Sequence, residues 1–130
     1  MTVDATLPYD DANIFARLLR GEIPSKRVYE DEHVVVFHDI APWAPTHLLA
    51  VPRGSYVSWD DFSQNASDAE IVAFTRAVGK VARDAGLVAT GYRLIANVGL
   101  DSHAEVPHLH VHIMAGRQLG PMLVQNDSRS

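Results

Sequence analysis

Apolar positions recur along the chain with two periods, and the switches between them mark its elements. Ile14, Phe15, Leu18 and Leu19 fall on one face of a 3.6-residue repeat, Gly21 follows as a stop and Pro24 bars a return, predicting a short helix over about Asp11–Arg20. "KRVYE" and "HVVVFHDI" are β-branched and aromatic runs separated by the acidic "DEH", and they predict a two-stranded hairpin. "HLLAVP" predicts a third strand beyond a turn containing Pro42 and Pro45. Helical spacing returns with Ile71, Phe74, Val78, Val81, Ala82 and Ala85. A capping-box pair, Ser67 and Glu70, opens this run and Gly86 closes it, so a long helix is predicted over about 68–85. "YRLIAN" and "HLHVHIM" predict the fourth and fifth strands, whereas Asp60 and Asp61 read as a solvated loop pair. The order β-β-β-α-β-β, with tight links between the first strands, predicts an α+β fold in which helices cover one face of an antiparallel sheet.

Composition narrows the class. A chain of 130 residues fits one domain, 1–130, with its core over about 11–123, flexible N- and C-terminal ends and "QNDSRS" as a frayed tail. Hydrophobic residues make up 47%, an ordinary globular share, and no apolar run approaches the roughly 18 residues of a membrane span. There is no cysteine, hence no disulfide or thiol nucleophile, which fits a reducing cytoplasm. The opening "MTVDATLPYDD" has neither a basic leader nor an apolar stretch, so no secretory signal is expected. A formal charge of −5, with Lys26, Arg27 and Arg53 too sparse for a patch, argues against nucleic-acid or membrane partners but leaves room for a small anionic ligand in a local pocket. Trp43 and Trp59 read as packing or dimer-contact residues.

"PHLHVHIMAG", residues 107–116, changes the picture by placing His108, His110 and His112 at alternate positions. On a strand these three share one face, roughly 7 Å apart along the strand, and Leu109, Val111 and Ile113 share the other. Beside a solvated face, two chemistries fit. Imidazoles two apart can ligate one zinc, a site that His47, Asp39 or Glu105 would have to complete. Alternatively, a neutral imidazole attacks a phosphate while its neighbours orient it and hold the charge.

"HLHVHIM" also resembles the His-φ-His-φ-His-φ-φ signature of the histidine triad (HIT) superfamily, where φ is apolar. "NIFARLLRGEIPSKRVYEDEHVVVFHDIAPWAPTHLLAVPR" is similar to that family's amino-terminal half, "GYRLIANVG" to its fourth strand, and "AGRQLGPML" to the tail of the bacterial Hint branch, the purine nucleoside phosphoramidases. The resemblance spans about residues 13–123. It implies a HIT-like fold, a five-stranded antiparallel sheet with one long and one short helix. The implied activity is hydrolysis of purine nucleoside 5′-phosphoramidates without a cofactor, by a homodimer. Dinucleoside polyphosphate hydrolysis, and nucleotide binding with little catalysis, are the alternatives.

Carried over residue by residue, the resemblance makes His110 the nucleophile that takes the nucleotidyl group. It makes His112 the phosphate contact and proton donor to the departing amine, with His108 and His47 supporting the nucleophile through hydrogen bonds. Asp39 would accept from the ribose hydroxyls, and Ile14, Phe15, Leu18, Phe37, His38 and Ile40 would wall the base. Asn97 and the Val106 backbone N–H would face the phosphate. Departures are equally informative. Asn13 and Ala16 stand where many relatives carry a cysteine pair of a zinc site, so no metal is expected. Ser102, His103 and Ala104 replace a glycine-rich "GGQ" stretch. Glu105, whose carboxylate would repel a phosphate, is expected to turn away or to meet a cationic leaving group.

Overall fold

The computed structural model describes residues 2–124; the expected frayed tail, 125–130, lies outside them. Five strands, β1 (Arg27–Glu30), β2 (Val34–His38), β3 (Thr46–Pro52), β4 (Arg93–Ile95) and β5 (Val111–Ala115), form one antiparallel sheet in the order β1-β2-β3-β5-β4. The helices are α1 (Ile14–Leu19), α2 (Trp59–Asn65) and α3 (Asp68–Asp84). The α+β class, the sheet and the long helix agree with the sequence pattern. Ser67 caps α3 through the reciprocal bonds with Glu70 that the capping box requires. No helix among the described residues is long and apolar enough to cross a membrane.

Three expectations are corrected. First, helices cover both faces of the sheet. Val34, Val36, Leu48, Ala50, Val111 and Ile113 pack on α3 and on Phe62 of α2, while Val35, Phe37, Leu49 and Val51 pack on Phe15 and Leu18 of α1. The reason was present in "VVVF", all four residues of which are buried. An unbroken apolar run in a central strand needs cover on both sides.

Second, the described residues form two short α-helices rather than one. Asp60 and Asp61 lie in the first turn of α2, not in a loop. Asp61 accepts from the Val57 N–H at 2.8 Å and from the Asn65 side chain at 2.8 Å, tying both ends of the helix. A seven-residue helix that buries only Phe62 leaves no amphipathic repeat to read.

Third, β5 begins at Val111, so "HLHVHIM" is a strand only in its second half. Beyond the pairing of Ala50 with Val111 the ladder stops, and the Pro52 carbonyl accepts instead from His108 Nε2 at 2.8 Å.

Candidate active site

The pleat of β5 sends Val111, Ile113 and Ala115 into the α3 core and His112 and Met114 to the opposite face. There His112 lies between Leu49 of β3 and Ile95 of β4 in register. That face opens on a cavity of about 510 Å3. Its lining includes His47, His110, His112, Ile14, Phe15, Leu18, Phe37, His38, Asp39, Ile40, Asn97, Glu105 and Val106. Every site residue expected from the sequence is therefore gathered at one place, except His108. Ile14 is 44% and Ile40 93% exposed, so these apolar side chains form an open wall rather than core.

His108 departs from the expected shared face. Its ring is 1% exposed and lies beneath the N-terminal segment, with Nδ1 2.7 Å from the Tyr9 hydroxyl. A carbonyl only accepts, so the bond to Pro52 places the proton of His108 on Nε2, and the Tyr9 hydroxyl donates to the bare Nδ1. Burial pushes the His108 pKa down to about 4, so the ring is neutral.

The same reasoning fixes the other rings. His110 Nδ1–H donates to the His108 main-chain carbonyl at 2.8 Å, which leaves His110 Nε2 with a free lone pair. Burial lowers the His110 pKa and favours this neutral form. The ring packs edge-on against Phe15 and against His112, with centroids 4.9 Å and 5.1 Å away.

His47, 4% exposed, accepts the Trp43 N–H on Nδ1 at 3.0 Å, so its proton sits on Nε2 and is donated to His112 Nδ1 at 2.8 Å. His112 must then carry its own proton on Nε2. Burial, with the His110 and His47 rings adding to it, lowers the His112 pKa to about 4. Burial also lowers that of His47, against the opposing pull of the Asp39 carboxylate. The expected support for His110 is thus divided. His108 holds it through a backbone carbonyl, and His47 orients His112 instead.

Asp39 sits where β2 ends. Its Oδ1 accepts from the Ala41 N–H at 2.8 Å and its Oδ2 lies 3.4 Å from His47 Nε2, leaving further acceptor positions toward the cavity. The ligand atoms of Asp39, His47 and His112 lie within 4.8 Å of one another, a spacing that could hold a metal. The Trp43 N–H argues against it. While that bond holds, His47 keeps its proton on Nε2 and has no lone pair there for an ion. Asn13, one of the two positions where the resemblance implies cysteine, is committed to capping α1, with Oδ1 accepting from Ala16 N–H and Nδ2 donating to the Asp10 carbonyl.

Some lining residues escaped the sequence reading. Met114 could have been found by counting two on from His112. The Ile23–Pro24–Ser25 turn and the Trp43 amide gave no pattern to find. His103 lines the mouth in a left-handed backbone conformation, φ 61°, with Nε2 3.3 Å from Glu105 Oε1. Glu105 is therefore turned toward His103, and both side chains are largely exposed.

A model described as HIT domain matches residues 20–119. The chain belongs to the HIT family. It is 58% identical over 117 residues, 90% of this chain and 96% of the other, to an uncharacterized 13.2 kDa HIT-like protein of Azospirillum brasilense. Over 113 residues, 87% of this chain and 94% of the other, it is 40% identical to the purine nucleoside phosphoramidase of Escherichia coli K12. Among solved HIT structures, a histidine triad protein from Clostridium difficile superposes with a TM-score of 0.77 at 39% identity, covering 89% of this chain and all of that one. These likenesses agree with a HIT hydrolase as the general kind.

Proposed function

We propose that this HIT hydrolase cleaves purine nucleoside 5′-phosphoramidates through a nucleotidyl group carried on His110. The observation that supports this most is the pair of opposed ring states in one cavity: an unprotonated Nε2 on His110 beside an N–H on His112 Nε2.

In the first step His110 Nε2 attacks the α-phosphorus, a new P–N bond forms, and the bond to the leaving amine breaks. The departing nitrogen needs a proton. In the empty site His112 is neutral, but a phosphate anion beside it favours a second proton: this enters on Nδ1, the His47 Nε2–H turns from it to Asp39 Oδ2 3.4 Å away, and the resulting imidazolium donates from Nε2. Water then attacks the nucleotidyl-histidine, its proton returns to His112, and nucleoside monophosphate leaves. Asp39 accepts from the ribose hydroxyls, the wall of Ile14, Phe15, Leu18, Phe37, His38 and Ile40 sandwiches the purine, and Asn97 and the Val106 N–H face the phosphate. No metal or other cofactor takes part. The protein acts as a cytoplasmic homodimer.

The test is a side-by-side assay of adenosine 5′-phosphoramidate, its guanosine equivalent and a diadenosine polyphosphate, using chelator-washed protein. Both phosphoramidates should turn over faster than the polyphosphate. Faster cleavage of the polyphosphate would overturn the reading in favour of the dinucleoside polyphosphate hydrolases.

A further inference from the structure

The segment ahead of α1 lies against the loop that precedes β5. The Val3 N–H donates to the Ala104 carbonyl at 2.7 Å, and Val3 and Ala5 close over Asn97, Ala104 and His108. The space left between them is about 10 Å3, at the lower limit for a single water. Tyr9 sets its ring edge-on to His108, with centroids 5.6 Å apart at 67°, and its hydroxyl on Nδ1. The HIT match begins at residue 20, so this arm lies ahead of the matched region.

The peptide that follows His108 carries both groups that matter. Its C=O accepts from His110 Nδ1–H, and its N–H, that of Leu109, donates to the Tyr56 carbonyl at 2.8 Å. The His108 ring is pinned on one nitrogen by Pro52 and on the other by Tyr9. We propose that Tyr9 is a positioning residue for His110: its hydroxyl fixes the His108 ring, and through it the carbonyl that keeps the attacking nitrogen unprotonated and aimed into the cavity. The proposal rests on His110 being the nucleophile. Without the hydroxyl, a buried Nδ1 loses its donor, and the ring relieves this by turning or by drawing water into a space with almost no room for it. Either response shifts the carbonyl. Attack geometry is sensitive to displacements well below the size of a water molecule.

Tyr9→Phe keeps the ring contact and removes only the hydroxyl, whereas Tyr9→Ala removes both. Both variants should lower kcat for adenosine 5′-phosphoramidate, Tyr9→Phe by roughly fivefold to tenfold, with KM changed by less than about twofold. Nitrogen-15 spectra of the resting proteins should show the His110 ring as a single Nδ1–H tautomer in the native chain and a mixture of tautomers in Tyr9→Phe. Native kcat in Tyr9→Phe with loss only in Tyr9→Ala would overturn the proposal, because ring packing alone would then explain the contact. If the native protein hydrolyses no phosphoramidate, the proposed function fails. The spectra still decide on Tyr9, since an unchanged His110 tautomer in Tyr9→Phe would overturn its positioning role.

Discussion

His110 and His112 occupy one cavity wall but differ in which nitrogen is bare, so their substitutions should have different consequences. His110→Ala removes the atom proposed to carry the nucleotidyl group and should lower kcat on the order of a thousandfold or more, while nucleoside monophosphate should still bind through the proposed contacts of Asp39 and the apolar wall. His112→Ala should cost about a hundredfold in kcat and also weaken phosphate binding, with a smaller effect for amines that leave easily. Steady-state kinetics and calorimetric titration check both, and equal effects of the two variants on binding would contradict the assignment. Because burial holds His110 below the ordinary histidine pKa, the acid limb of kcat/KM should fall below pH 6.5. A limb at or above 6.5 would point to another group. At this scale the cavity lining was legible through the family resemblance more than through strand alternation, because only His112 of the three alternating histidines lies on β5 and His108 leaves the shared face. The partners of each ring were not. They include a carbonyl two residues back, an amide at Trp43 and a hydroxyl ninety-nine positions away, and no side-chain pattern encodes them.

Strands and helices were readable wherever burial imposes a period, as in α3, or β-branched and aromatic residues cluster, as in the β1–β2 hairpin. They were unreadable where a short element leans on hydrogen bonds, as in α2, or where a side chain replaces the ladder, as His108 does at Pro52. The end of β5 supplies an element-scale prediction. Gly116 has φ +100°, and a Cβ there would stand 2.8 Å from Pro45 Cβ, next to the residue that opens β3. Gly116→Ala should therefore destabilise the fold by about 1–3 kcal/mol and loosen the β3–β5 pairing that holds His47 beside His112. Urea unfolding at pH 7 measures it, and an unchanged midpoint with unchanged slope would refute it.

For the whole molecule, the neutral histidines make acid a threat before the carboxylates do. The unfolded chain takes up protons below pH 6.5 that the folded His108 and His112 refuse until about pH 4, so stability falls as pH drops across that window. His108 alone, lowered to about 4, corresponds to about 3 kcal/mol. Urea midpoints should accordingly be lower at pH 4.5 than at pH 7, and equal midpoints would contradict it. The exposed tail residues Met122, Leu123 and Val124, at 89%, 81% and 91%, together with Leu94 on edge strand β4, supply apolar surface for the proposed homodimer. Sedimentation equilibrium should give twice the chain mass at micromolar concentration. A single-chain mass there would rule the dimer out.

The Trp43 amide also bears on how the site withstands genetic change. The direction in which protons are arranged along His47 and His112 is set by a main-chain N–H, and the Trp43 side chain itself is 78% exposed. A codon change at position 43 can alter the surface without altering that donor, since every residue type except proline supplies it. The polarity of the pair is thereby shielded from drift at the position that determines it, and sequence variation at Trp43 would be a poor guide to its importance.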